Sequence, residues 1–164
     1  MKRSSRFAPI LVLPVLVAAY LMLGAGASAE APATTTLNLK ELEKGSTFTH
    51  IRNTESAPRN ANTQGDIFGF TYRVAEGSGA VVGKLSVSCI TTTGAKNFTN
   101  SVLTCTGILD LPAGTLTIAA NSSPGKRITT GAVTGGTGTY AYASGVFVSK
   151  EVKGGSLDTI TIAG

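Results

Sequence analysis

Residues 132–148 read AVTGGTGTYAYASGVFV. Gly136, Gly138 and Ala141 match the spacing of a glycine loop that cradles a phosphate. Such a loop needs a helix directly behind it, whose N-terminal amides meet the anion, inside an alternating α/β unit. Behind these glycines stands GVFVSKEV, residues 145–152, a run rich in β-branched residues. The glycines therefore read as a tight corner between two strands, where they permit positive φ and close backbone approach. Tyr140 and Tyr142 are expected to pack over one end of that structure or to frame its mouth. Nucleotide binding is excluded by the missing helix.

Outward from this corner, short alternating runs recur and no stretch holds apolar residues at helical spacing for three turns. Residues 34–44 place Leu37, Leu39, Glu41 and Glu43 on one face, and a second piece spans 47–52. A polar loop, 53–64, buries nothing obvious. Residues 66–74 put Phe68, Phe70 and Tyr72 on one face, EGSG (76–79) turns the chain, and 81–92 returns with Leu85, Val87 and Cys89 aligned. After a polar turn, 102–111 aligns Leu103, Cys105, Leu109 and Leu111, and Pro112-Ala113-Gly114 turns into 116–120. Runs at 128–133, 146–152 and 157–162 complete the set. The chain is all-β. Periodicity leaves a barrel and a sandwich open, although closure would remove the edges that so threonine-rich a chain would otherwise expose.

The N-terminus reads differently. Lys2, Arg3 and Arg6 precede an apolar run, 7–23, and Ala27-Ser28-Ala29 is a small-x-small cleavage site, so residues 1–29 are expected to be a secretory signal peptide cut after Ala29. The alternative is an uncleaved N-terminal anchor; cleavage implies a secreted domain, 30–164, with no stable membrane insertion. Three of the fourteen basic residues belong to the leader, which leaves eleven against nine acidic ones, a net charge of +2. That is too little to imply nucleic acid or an anionic membrane as a partner. In an oxidising compartment the two cysteines, Cys89 and Cys105, are expected to be bridged, and they lie on apolar faces equidistant from the middle of the intervening turn.

Three ordered motifs, GDIFGFTYRVAEGSGAVVGKLSVSC (65–89), LTCTGILDLPAGTLTIAA (103–120) and the opening stretch, together resemble the allene oxide cyclase barrel family, whose superfamily includes the dirigent proteins. The likeness runs over about residues 34–162, and the leader is similar in style to those of secreted bacterial members. It implies an eight-stranded antiparallel β-barrel with an apolar cavity, often assembled as a homotrimer, that folds a flexible hydrophobic substrate toward cyclisation with help from a carboxylate and a bound water. Carried over residue by residue, the run LKELEKG (39–45) supplies the carboxylate as Glu41, but Glu43 stands where the family has an asparagine. Cys89 falls at a pocket cysteine. Tyr72 replaces a water-binding asparagine, and the pocket tyrosine before the glycine motif has no counterpart in NSSPGKR (121–127).

Glu41 is the candidate catalytic residue. If Leu37 and Leu39 face an apolar interior, Glu41 does too, and desolvation should raise its pKa so that it serves as acid, base or electrostatic stabiliser; the alternative is a solvated rim position paired with Lys40 or Lys44. Phe68, Phe70, Tyr72 and Cys89 are the candidate ligand-binding wall, or else ordinary filling of a narrow barrel. A bridged Cys89 would be an unreactive wall; a free one would be a candidate thiol. His50 is the only histidine, no ligands cluster at metal spacing and no nucleophile elbow occurs, so neither metal nor cofactor is expected. The expected partner is a small hydrophobic ligand or substrate. Three functions compete: a secreted cyclase or isomerase, an extracellular lipid or small-molecule carrier, and a dirigent-like protein that steers a coupling performed elsewhere.

Overall fold

In the computed structural model, residues 34–53, 58 and 61–163 are described; the expected signal peptide lies outside them. Eight strands succeed one another: β1 (Thr34–Ile51), β2 (Ile67–Ala75), β3 (Val81–Thr93), β4 (Val102–Leu111), β5 (Gly114–Ser122), β6 (Ile128–Gly136), β7 (Ser144–Val152) and β8 (Gly155–Ala163). Each pairs antiparallel with its successor, and β8 pairs with β1, from Thr34↔Ala163 to Leu42↔Gly155, so the sheet closes into a barrel. Closure decides between the two all-β architectures and leaves no open edge along the paired strands.

Alternation builds the core. On β4, Leu103, Cys105, Gly107 and Leu109 point inward and the residues between them outward. On β8, Asp158, Ile160 and Ile162 point inward, while Leu157 is exposed. The two pieces expected at 34–44 and 47–52 are one bent strand. Its register against β2 shifts between Leu42 and Thr47, and Gly45 there takes φ +84°, which a residue with a side chain rarely adopts. Beyond the bend, Thr47 to Ile51 pair with β2 alone, because β8 begins only at Gly155, opposite Leu42.

The two ends of the barrel differ. At the end carrying the β2–β3, β4–β5 and β6–β7 turns, Leu39, Val74, Leu85, Leu109, Leu116, Val133, Ile160 and Ile162 pack into one cluster, joined by Ala143 and Tyr140 of the β6–β7 corner. This is the glycine stretch: β6 ends at Gly136, a short 3-10 turn spans Gly138–Tyr140, and β7 begins at Ser144. The corner is clamped to the β4–β5 turn by Thr137 N–H to Thr115 O (2.9 Å) and Thr139 N–H to Ala113 O (2.8 Å). Tyr140 thus packs over the barrel end as expected, but Tyr142 is 98% exposed at φ +64° and covers nothing among the described residues.

At the opposite end, Phe68, Cys89, Leu103 and Cys105 form a second, smaller cluster. Cys89 and Cys105 are direct cross-strand partners with Cα atoms 4.0 Å apart, and they are joined by a disulfide. The loop before β2 departs from the expectation that it buries nothing. Asn62 is buried and donates to Thr91 Oγ1 (2.9 Å). Asp66, fully buried, accepts bonds from Asn53 N (2.7 Å), Thr63 N (3.0 Å) and Thr63 Oγ1 (2.6 Å), with His50 Nε2 at 3.3 Å. Polar residues that read as solvated are recruited because the loop's own backbone N–H groups need acceptors once it folds against the barrel.

Candidate functional site

Between the aliphatic plug and the open end lies a cavity of about 270 Å³, just below the roughly 300–1,000 Å³ common among ligand sites. All eight strands contribute to its wall, and Phe98 and Pro124, from the β3–β4 and β5–β6 connections, stand at its rim. The inner residues explain the space. Where β4 reaches this level it offers Gly107; β5 offers Ala120 and Ser122; β6, Thr129; β7, Ser149; β8, Ser156. Large residues one or two steps further along the same faces, such as Leu109, Leu116, Val133 and Ile160, fill the plug.

Aromatic rings from three parts of the chain contribute to the wall. Phe70 and Tyr72 on β2 are nearly parallel, with centroids 6.3 Å apart, and Phe98 and Phe147 complete the aromatic surface. Phe70 and Tyr72 therefore stand where the ligand-wall reading put them, and Cys89 joins them as half of the disulfide. Phe68 does not. Its side chain is buried outside the lining, stacked on His50 (centroids 4.2 Å) and packed on Phe98 (5.2 Å). The physical reason is position: Phe68 pairs with His50 on β1 and Cys89 on β3, one inward step nearer the open end than Phe70, where the loops cover it. Phe48, opposite Phe70 on the unshared part of β1, remains 60% exposed.

Glu41 stands at the cavity floor and is only 8% exposed. The rim position, solvated beside Lys40 or Lys44, is not what the structure has; Glu43, past the inward stripe and entering the bend, is the exposed member of the pair. β8 comes close here because its first residue is a glycine. A side chain at Gly155, which adopts φ +143°, would collide with the Glu41 carbonyl. Beside Glu41 lies a second carboxyl that sequence reasoning missed, Asp158, 3% exposed. It sits behind Glu41, paired with Leu39 on one side and Ser149 on the other. Its Oδ1 is buried without a hydrogen-bond partner.

Burial, and secondarily the negative charge of Asp158, push the Glu41 carboxyl up to about 8, while a hydrogen bond from Ser156 opposes the rise. Burial also raises Asp158, against hydrogen bonds from Ser149 and Glu41 that favour its charged form. Glu41 and Asp158 thus form a buried carboxyl pair in which burial favours holding a proton. Tyr72 is raised by burial and then by the charges of Glu41 and Glu43. The arrangement can hold a proton near neutral pH at the end of an aromatic-walled pocket, and exchange it with a bound molecule.

His50 is tied to Asp66 and Phe68 and does not line the cavity. Among the described residues, no group of three His, Cys, Asp or Glu side chains is placed to hold a metal ion. Asp158, Ser149 and Ser156 had one available signal: once β8 is set beside β1, Ser156 and Asp158 share the inward parity of Ile160 and Ile162.

No protein-family model and no curated protein matches the chain. Solved structures do. A pyocyanin demethylase superposes with a TM-score of 0.59 at 24% identity, over 80% of this chain and 100% of its own. A pterocarpan synthase dirigent protein gives 0.61 at 16%, over 82% and 97%. A Diels-Alderase from Streptomyces koyangensis gives 0.60 at 16%, over 79% of this chain and 63% of its own length. At such identities the likeness establishes architecture. The chain has the closed, eight-stranded antiparallel barrel fold that dirigent proteins and Diels-Alderase barrels share.

Proposed function

We propose that this protein binds a compact hydrophobic molecule inside its barrel and promotes an intramolecular cyclisation or isomerisation of it, in the manner of allene oxide cyclase-like barrels. The observation that carries the reading is Glu41: a buried carboxyl with its pKa near 8, at the floor of an aromatic-walled cavity. Such a group donates a proton or a strong hydrogen bond to an oxygen or nitrogen of the bound molecule as charge develops there, and Asp158 holds it in place. The walls contribute confinement, holding a flexible molecule near its reactive conformer. That neighbours of the same fold are described as a Diels-Alderase and a pterocarpan synthase dirigent protein supports the reaction class. The cavity size favours a smaller substrate than an extended C18 chain. The leader pattern and the disulfide support action outside the cytoplasm.

The test begins with native mass spectrometry of protein purified from its producing cells, to identify a co-purified molecule. Turnover of that molecule is then compared in the wild type and Glu41→Gln. A fall in kcat of about a hundredfold or more with little change in Kd supports catalysis. Binding without any wild-type turnover leaves a carrier, and overturns the catalytic half of the reading.

A further inference from the structure

The cavity's charge balance narrows its occupant. Glu41 and Asp158 place two carboxyl groups at and just behind the floor, and among the described residues no Lys, Arg or His side chain joins the lining. The contact of His50 with Asp66 (3.3 Å) lies outside it. Asp158 is almost wholly buried and keeps one oxygen without a hydrogen-bond partner. A buried carboxylate with neither counter-ion nor full hydrogen bonding is costly. Sharing a proton between the two lowers that cost, and a positive charge placed beside them would lower it as well. The same cavity is lined by Phe70, Tyr72, Phe98 and Phe147, and the faces of aromatic rings attract positive charge. Carboxylates below and aromatic faces around form the surroundings in which a cation, and not an anion, is stabilised.

Resting on the reading of this cavity as a ligand site, we infer that its preferred occupant is a compact aromatic cation, its positive charge directed at Glu41, and that molecules presenting a carboxylate there are rejected. Free fatty acids are thereby removed from the candidate substrates, and protonated or N-alkylated heteroaromatic molecules are favoured. The positive charge fills the role that no lysine or arginine of the lining fills. The flat ring system suits the near-parallel pair Phe70 and Tyr72.

Three probes of similar shape and different charge test it: N-methylacridinium, neutral acridine and acridine-9-carboxylate, titrated against the full chain at a pH of about 7.5 and followed by probe fluorescence. The cation is expected to bind at least about tenfold more tightly than acridine, and the carboxylate most weakly. In the double variant Glu41→Gln/Asp158→Asn, isosteric with the wild type, the advantage of the cation over acridine should shrink to within about threefold. If the three probes bind alike, or the carboxylate binds best, the charge inference fails and the ligand-site reading survives. If the double variant, verified as folded by circular dichroism, keeps the full cation preference, the inference also fails, because the carboxyl pair is then not its source. If none of the probes binds and none competes with a co-purified molecule, both this inference and the reading of the cavity as a site for such ligands are overturned.

Discussion

The two halves of the barrel are built from the same eight strands, yet one is solid and the other hollow. At the solid end the inward residues are Leu109, Leu116, Val133, Ile160 and Ile162; at the hollow end the same strands turn inward Gly107, Ala120, Thr129, Ser156 and, on β7, Ser149. These strands exchange bulk for space, and Glu41 sits at that boundary with Asp158 behind it. The plug fixes the register by which every inward side chain is placed, and this lets the other half go unfilled without slipping. A carboxyl pair at the boundary is desolvated from below by aliphatic packing and open to a guest from above.

The contrast is broken most directly on one strand. Leu109→Ala, in the plug, should cost about 3 kcal/mol of unfolding free energy, within the range of about 2–5 kcal/mol for such truncations. Gly107→Val, two residues away and inside the cavity, should cost much less: a Cβ there stands 3.3 Å from Leu85 Cδ1, 3.6 Å from Val87 Cγ2 and 3.9 Å from Ile118 Cβ, so only the flexible end of Leu85 must give way by a few tenths of an ångström. Stability should change by less than about 1 kcal/mol, while affinity for a cavity ligand falls at least about tenfold. Chemical denaturation together with a ligand titration checks both. Equal destabilisation by the two changes would mean that the hollow half is as tightly packed as the plug.

The hollow half holds only a small cluster of its own, Phe68, Cys89, Leu103 and Cys105, so it should lean on the disulfide. Reduction, or the double change Cys89→Ala/Cys105→Ala, should lower unfolding free energy by about 2–3 kcal/mol, with amide exchange accelerating first at the open ends of β3 and β4. Uniform acceleration through the plug strands would show that the bridge supports the whole barrel instead.

Two buried carboxylates, one at the boundary and one in the loop at the open end, should respond to pH in opposite directions. Glu41, at about 8 in the folded chain against 4.5 as its ordinary value, keeps a proton that the unfolded chain has already released. Stability should therefore fall as pH rises from about 4.5 to 8, then level off. Asp66 behaves otherwise. Burial alone would raise it, but bonds from the Thr63 side chain, the Asn53 and Thr63 backbone and His50 prevail and hold it at about 2, below its ordinary 3.8. Its contribution is complete above that ordinary value and is lost as pH falls from 3.8 toward 2. Glu41→Gln should flatten the alkaline slope and raise Tm at a pH of about 8.5, and Asp66→Asn should flatten the acid limb alone. Any turnover by Glu41 acting as an acid should decline as pH rises through about 8.

How much of this was legible in the sequence depends on the distance over which each feature is determined. Alternation is local, so the strands and the shared face of Phe70 and Tyr72 could be read directly, and the hairpin symmetry of Cys89 and Cys105 pointed to their pairing. The glycine corner was legible because the residues directly behind it form a strand. Asp158 was not, since its inward parity matters only when β8 closes against β1, more than a hundred residues away in sequence. Nor was the fate of Phe68, which shares a face with Phe70 and Tyr72 yet lies outside the lining because Phe98 and His50 cover it. The bend at Gly45 likewise reads as a break between strands until the partner strand shows that pairing resumes beyond it.

The smallest expected effect belongs to the solid end, at Tyr142. Its backbone sits at φ +64°, the left-handed region, and its side chain is 98% exposed, so it gains no packing in exchange for the unfavourable conformation. Nearby, Ala143 N–H donates to Tyr140 O at 3.0 Å, which fixes the backbone of the corner on either side of it. Tyr142→Gly removes the side-chain penalty of roughly 1–2 kcal/mol but frees the unfolded chain by roughly 0.5–1 kcal/mol, so a net stabilisation of up to about 1 kcal/mol is expected, without change in ligand affinity. Tyr142→Ala keeps the strain and should be neutral. If the glycine variant instead loses stability or alters the oligomeric state measured by light scattering, the exposed ring is held by contacts outside the single chain, and the solid end of the barrel is where they are made.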